Sequence, residues 1–318
     1  MIRAVAGGAL AAAIAVPLVR RRRRISPALT VAATATGPFA LAVLFRRTRK
    51  RDVAIFALQM WAFGVIHELP YDQPDRLRER LRVRYPIAVD RFLGAGELPN
   101  VRLQRALSRA GEVTRLDRVL AMAHWAWLIE PYAALVWILL RDERRFPSAA
   151  RQMAAAFDIG CAIYHAVPTA PPWWAAENGY IAEQEGALSE EMVAAAATSH
   201  RLRRVMVEVG EGTWGRAWPA LYDSLGGNPW AAMPSLHFAT SLLAAILLSE
   251  AGTGPGIAGW SYAGTLALAL VYLGEHYVID LLVGAGVVVV VRRGEPLARP
   301  LAERISAFVQ RLEAIANS

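Results

Sequence analysis

The sequence predicts an all-α, polytopic membrane protein, and three observations carry that prediction. Hydrophobic residues make up 55% of the chain and mean hydropathy is +0.29, richer than a soluble domain needs. Apolar runs recur near the ~20 residues that a helix needs to cross a bilayer core of ~30 Å. Arginine clusters stand at the ends of those runs, where charged loops leave the membrane.

About eight runs qualify: Ala4–Val19, Ala28–Phe45, Val53–Leu69, Val119–Leu140, Ala149–Val167, Ala232–Leu248, Ile257–Gly274 and Tyr277–Val291. The first has its arginines after the apolar stretch, apart from Arg3, which fits a retained helix better than a cleaved leader. Arg46–Arg51, Arg141–Arg145 and Arg292-Arg293 fall on one side if the last six runs each cross once, and that side is expected to be cytoplasmic. Arg20–Arg24 would then face outward. Either Ala28–Phe45, with Thr36-Gly37-Pro38 at its centre, is a re-entrant hairpin, or the first run lies in the interface.

The expected organisation is an N-terminal pair of apolar segments with arginine-rich loops over 1–51, a membrane core over 52–293 and a tail over 294–318. Two long outer segments, 70–117 and 168–231, interrupt the core. Pro74–Leu107 reads as amphipathic and membrane-surface-lying, and Pro296–Ile315 as a cytoplasmic surface helix. A net charge of +8, from 35 basic and 27 acidic residues, points to anionic lipid headgroups rather than nucleic acid. The single cysteine, Cys161, forms no internal disulfide.

Polar residues with chemical potential gather at span ends. Met233-Pro234-Ser235-Leu236-His237 opens the sixth run, and Gly274-Glu275-His276-Tyr277-Val278-Ile279-Asp280 joins the seventh to the eighth. His237 and His276 are 39 positions apart, enough for one helix across, a turn at Gly252–Gly256 and one helix back, so both imidazoles return to one face. His276 and Asp280 are one helical turn apart, which lets the carboxylate hold a ring nitrogen while the other attacks. A second histidine can donate a proton to the leaving oxygen. Helix N-termini at Pro234 and His276 would also aim amides at a phosphate.

Pro-Ser-Leu-His followed by His-Tyr-Val-Ile-Asp resembles the second and third signature motifs of the type 2 phosphatidic acid phosphatase superfamily. The resemblance is nearest to the branch of inositol phosphorylceramide and sphingomyelin synthases, which also has a proline-aromatic stretch like Pro168–Trp174. It covers roughly Val53 to Val291. It implies a six-helix core with the N-terminal apolar segments outside it, a phosphohistidine on His276, proton transfer by His237, and neither metal nor cofactor. A lipid phosphate donor and an alcohol or lipid acceptor are expected partners, and the arginine-bearing loops lead to the expectation of a cell-membrane enzyme whose site faces the extracytoplasmic side. The lysine-and-arginine motif of the phosphatase branch does not precede these motifs, and Ala269-Leu270 occupies the stretch of its serine-arginine pair. That favours headgroup transfer between lipids over hydrolysis, with a non-catalytic lipid-binding protein as the remaining class.

Substrate-binding candidates are Ser235 within the motif, Arg91, Arg201 and Arg204 (with Arg203) as phosphate partners, His165 and Trp173. The ordinary reading of the arginines is pairing with headgroups, and of the tryptophans an interfacial belt. Glu130 and Asp158 lie within apolar runs, where a carboxylate is costly. His67, His124 and His200 have no partner at a telling spacing and are expected to be structural. Oligomeric state is left open.

Overall fold

A computed structural model describes residues 1–109, 111–184, 202–225 and 230–317. The described residues are mainly helical, with no named strand and three isolated bridges.

Helices α1 (Ile2–Arg23) and α2 (Pro27–Leu44) form a hairpin. The chain reverses at Arg24, which takes the left-handed conformation with φ 52°. Ser26 then caps α2, its hydroxyl oxygen accepting from the Leu29 amide at 3.3 Å, and Pro27 supplies a preset first turn. α2 runs unbroken through Pro38, so this segment is a plain helix rather than a re-entrant hairpin. Two of the five arginines that resist the charge rule have acidic partners. Arg20, only 8% exposed, reaches Asp72 at 3.1 Å and Glu68 at 3.4 Å, and Arg21 reaches Asp72 at 2.7 Å, at the far end of α3 (Arg49–Glu68).

The next outer segment holds α4 (Pro74–Glu79), α5 (Arg84–Leu93) and α6 (Pro99–Leu107). The run Val119–Leu140 is not one straight span. It divides into α7 (Arg115–Ala126) and α8 (Glu130–Arg141), bent by 57°, because Pro131 cannot continue the ladder of α7 and Glu130 turns to Ser241 at 3.1 Å. α9 (Phe146–Ala166) follows, then α10 (Pro172–Glu177), α11 (Tyr180–Gln184), α12 (Val205–Trp214) and α13 (Trp218–Leu225). α14 (Leu236–Ala251), α15 (Thr253–Tyr272) and α16 (Val278–Asn317) complete the chain.

Among the described residues three helices are long and apolar enough to cross a membrane alone, namely α1, α2 and α3 with its extension to Asp72. The bent pair α7–α8 makes a fourth if it counts as one span. The other expected runs form helices that do not meet that criterion by themselves and pack against one another. Leu135, Met153, Phe157, Leu243 and Val288 from α8, α9, α14 and α16 share one buried cluster. α14 and α15 touch so closely that a Cβ on Gly259 would stand 2.8 Å from the Ala245 Cα, and small residues at such seams replace the hydrophobic drive that lipid removes.

The bundle has two unlike ends. At one, arginines meet acids between helices: Arg49–Glu143 at 2.6 Å, Arg51–Glu313 at 3.0 Å, Arg145–Glu250 at 2.5 Å and Arg151–Glu295 at 2.6 Å. The tail is continuous with the last span, since α16 carries Pro296 and Pro300 without a break and its end packs Leu312 and Ala316 near Ala6 and Val43. At the other end the outer segments knit into a cap. Arg82 N–H donates to the Pro168 carbonyl at 2.8 Å and Thr169 N–H to the Trp230 carbonyl at 2.9 Å. Ile87, Leu98, Ile181, Trp230 and Tyr277 form a second small core beneath.

Candidate active site

His237 sits in the first turn of α14, which begins where Ser235 Oγ accepts the Phe238 amide at 3.2 Å. His276 sits in the turn that Gly274, at φ 74°, opens between α15 and α16. Asp280 lies in the first turn of α16 with its Oδ2 accepting the Tyr277 amide at 2.8 Å. Ser235 N–H donates to the Asp280 carbonyl at 2.9 Å and fastens the two helix starts together. Only glycine fits opposite, because a Cβ on Gly284 would meet the Ser235 carbonyl oxygen at 2.7 Å.

His237 Nδ1 lies 3.2 Å from His276 Nε2, with ring centroids 5.3 Å apart and planes at 62°. His276 Nδ1 lies 3.4 Å from Asp280 Oδ2, close enough to couple charge but too long for a strong hydrogen bond. His276 is 4% exposed and Asp280 fully buried. With the carboxylate facing Nδ1, the network assigns the hydrogen of His276 to Nδ1, leaving Nε2 bare toward a hydrogen on His237 Nδ1. The order is carboxylate, imidazole, bare nitrogen, donor. It suits nucleophilic attack by one ring and proton delivery by the other.

His124, expected from the sequence to be structural, and Trp127, on which the sequence reading is silent, flank this pair. His124 stacks on His237 at 4.8 Å, and Trp127 lies 4.1 Å from the same ring while its Nε1 donates to Thr240 Oγ1 at 2.8 Å. Both come from the end of α7, just before the bend. The His-x-x-Trp spacing ahead of Glu130-Pro131 is the one signal that could have found them.

The start of α16 is not open to phosphate, because the Val278 and Ile279 amides donate to Asp90 and the Tyr277 amide to Asp280. At the start of α14 the Leu236 amide donates to Tyr164 Oη at 3.3 Å and the Phe238 amide to Ser235 Oγ. These amides, expected to hold an anion, are spent on groups of the protein itself.

Of the other candidates, Ser235 is fully buried and its hydroxyl caps α14. Arg204 and Trp173 come together, the guanidinium 3.8 Å above the indole and 2.8 Å from Glu177. Trp173 N–H also donates to the Gly274 carbonyl at 3.0 Å, which brings this pair to the His276 turn. Glu275 is half-buried beside them; desolvation raises its carboxyl above the ordinary range while Arg204 and His276 pull the other way. Arg203 is occupied by Glu208 at 2.5 Å and Asp117 at 3.4 Å. Arg91 turns to its own loop, with Nε donating to the Gly96 carbonyl at 3.3 Å. His165 Nδ1 pairs along its own helix with the Cys161 carbonyl at 2.9 Å. Arg201 and His200 lie outside the described residues.

An all-α membrane bundle with two facing histidines, one backed by an aspartate, is compatible with an enzyme that acts on phosphoesters. The sequence model of the PAP2 superfamily matches residues 101–292, and the chain belongs to that superfamily. Its members are phosphatases and phosphotransferases, and this chain is accordingly an enzyme acting on lipid phosphoesters. No curated protein and no solved structure matches it.

Proposed function

We propose that the chain is a phosphotransferase of the inositol phosphorylceramide and sphingomyelin synthase-like branch, moving a phospho-alcohol headgroup between lipids. The observation that carries this reading is the 3.2 Å approach of His237 to His276 with Asp280 behind. His276 Nε2 attacks the donor phosphorus, forming a P–N bond as the P–O bond to the donor lipid breaks. His237 gives its proton to the departing oxygen. The acceptor hydroxyl then returns a proton to His237 as its oxygen forms the new P–O bond and the P–N bond breaks. Asp280 stabilises the imidazolium character that His276 gains on attack. Arg204, held on Trp173 beside the His276 turn, is the phosphate partner that the geometry supports best among the sequence candidates.

The site end is assigned to the extracytoplasmic face of the cell membrane, because Arg46–Arg51, Arg141–Arg145 and Arg292-Arg293 lie at the opposite end. The core is assigned to 52–293, with 1–51 and 294–318 as additions to it. Transfer rather than hydrolysis is favoured by the missing phosphatase motif and by the cap of outer segments, which limits competing water. Purified protein in mixed-lipid vesicles is expected to generate a new lipid species, read by mass spectrometry, faster than it releases soluble phosphate or phospho-alcohol. Steady soluble release with no exchange in any donor and acceptor mixture would assign the chain to the phosphatases instead.

A further inference from the structure

Three polar side chains of the outer helices are buried without any part in the proposed chemistry. Asp90 on α5 and Asn100 on α6 are fully buried, and Gln104 on α6 is 6% exposed. Burying such groups is costly unless each finds a partner. All three have partners on one short stretch of backbone, the turn that carries His276, and Gln104 in addition pairs with the backbone of Arg203.

Asp90 grips the start of α16 with both oxygens, Oδ2 accepting the Val278 amide at 2.7 Å and Oδ1 the Ile279 amide at 2.9 Å. Asn100 Nδ2 donates to the Val271 carbonyl at 2.7 Å and to the carbonyl of His276 itself at 2.9 Å. Gln104 Nε2 donates to the Tyr272 carbonyl at 2.8 Å. The turn also holds itself, with the Glu275 and His276 amides both donating to the Leu270 carbonyl at 3.1 Å. What the turn leaves unmet, α5 and α6 collect.

The consequence is geometric. The amides that Asp90 fixes lie directly between His276 and Asp280 in the chain, so a shift of either amide changes the 3.4 Å spacing of ring and carboxylate. We propose that Asp90 and Asn100 are positioning residues, and that the outer segment acts as a clamp setting His276 and Asp280 in register for catalysis. This rests on the reading of His276 and Asp280 as reacting groups.

The test compares Asp90→Asn, Asn100→Ala and Asp90→Leu with His276→Ala in the headgroup-transfer assay, following kcat, KM, the burst of acid-labile phosphoenzyme and thermal unfolding in detergent. Asp90→Asn is close to isosteric but presents an amide donor to a backbone N–H. It is expected to lower kcat and the phosphoenzyme burst together by about 10- to 100-fold, with KM within about twofold, since small misplacements of reacting groups have effects of that size. Asn100→Ala leaves the carboxylate in place and is expected to give a smaller loss of the same kind. If Asp90→Leu does not fold, these two milder variants decide the matter. Wild-type kcat in folded Asp90→Asn and Asn100→Ala, beside a dead His276→Ala, would overturn the clamp and leave the site reading standing. Activity surviving in His276→Ala would overturn the site reading, and the clamp with it.

Discussion

The contacts that hold the His276 turn differ in kind from those that join helices at the arginine-rich end. At the arginine-rich end, Arg49, Arg145 and Arg151 reach acids on neighbouring helices through partly exposed side chains, in contacts that join charge to charge. At the site end, Asp90, Asn100, Gln104 and Ser235 are buried, and most of their bonds go to backbone amides and carbonyls. Exposed ion pairs are individually weak, screened by salt and tolerant of geometry. A buried polar group is the reverse, because removing its partner leaves it unmet at about 1–3 kcal/mol. One end can therefore absorb substitution, while the other fixes positions to fractions of an ångström.

The strongest way to break this contrast is to strip the site end of its reacting groups. His237→Ala and Asp280→Asn are each expected to remove about three orders of magnitude or more of kcat, and the double variant to be little worse, because the residues act as one unit. Additive losses in steady-state turnover would show that they act separately.

A smaller effect separates the clamp from simple folding. Burial pushes the Asp90 carboxyl up to about 6 against the opposing pull of the Ile279 and Val278 amides. Its folded value lies above the ordinary 3.8, so the folded chain takes up this proton more readily than the unfolded one. The contribution of Asp90 to stability therefore grows as pH falls through about 6, down toward the ordinary value. Activity is expected to move the other way. A protonated carboxyl is a poorer acceptor for two amides, so kcat declines on the acid side with a midpoint near 6 while thermal unfolding shows no matching loss. An acid limb unchanged in Asp90→Asn would detach it from this group.

The smallest effects belong to the arginine-rich end. Arg49→Ala, which removes the pair with Glu143, is expected to leave unfolding temperature and turnover unchanged. The same end sharpens the orientation. A cysteine replacing Phe92, 84% exposed in the cap, is expected to react with a membrane-impermeant thiol reagent outside intact cells, whereas Glu143→Cys does not. Reversed labelling would place the site in the cytoplasm.

What the sequence made legible was local or periodic. The Pro-Ser-Leu-His and His-Tyr-Val-Ile-Asp motifs, the apolar runs and the spacing of His237 from His276 are properties of short windows or of helix length. The hidden parts depend on contacts between distant residues. Val119–Leu140 reads as one span by hydropathy, and only Pro131 hints at the bend that carries His124 and Trp127 to His237. Asp90 was overlooked beside Arg91 because its partners lie 188 and 189 positions away. The same carboxylate explains why a helix start expected to bind phosphate has no free amides to offer at Val278 and Ile279. The unusual placement of Arg20–Arg24 became sensible only once Glu68 and Asp72 were seen beside Arg20 and Arg21.

The contact between His237 and His276 has one more consequence. At 3.2 Å there is no gap for a phosphorus atom between the two nitrogens, and two hydrogens cannot both point into that space. On the proposed reading the idle enzyme is latched, with its nucleophile occupied by its own acid and a single proton lodged between them. A substrate must wedge the rings apart, turning His237 against the stacked ring of His124 and the tilted ring of Trp127. A headgroup anchored in the bilayer by its acyl chains has the binding energy to do so, whereas a lone water molecule brings none. On that reading the site opens only when a lipid phosphoester separates the two rings.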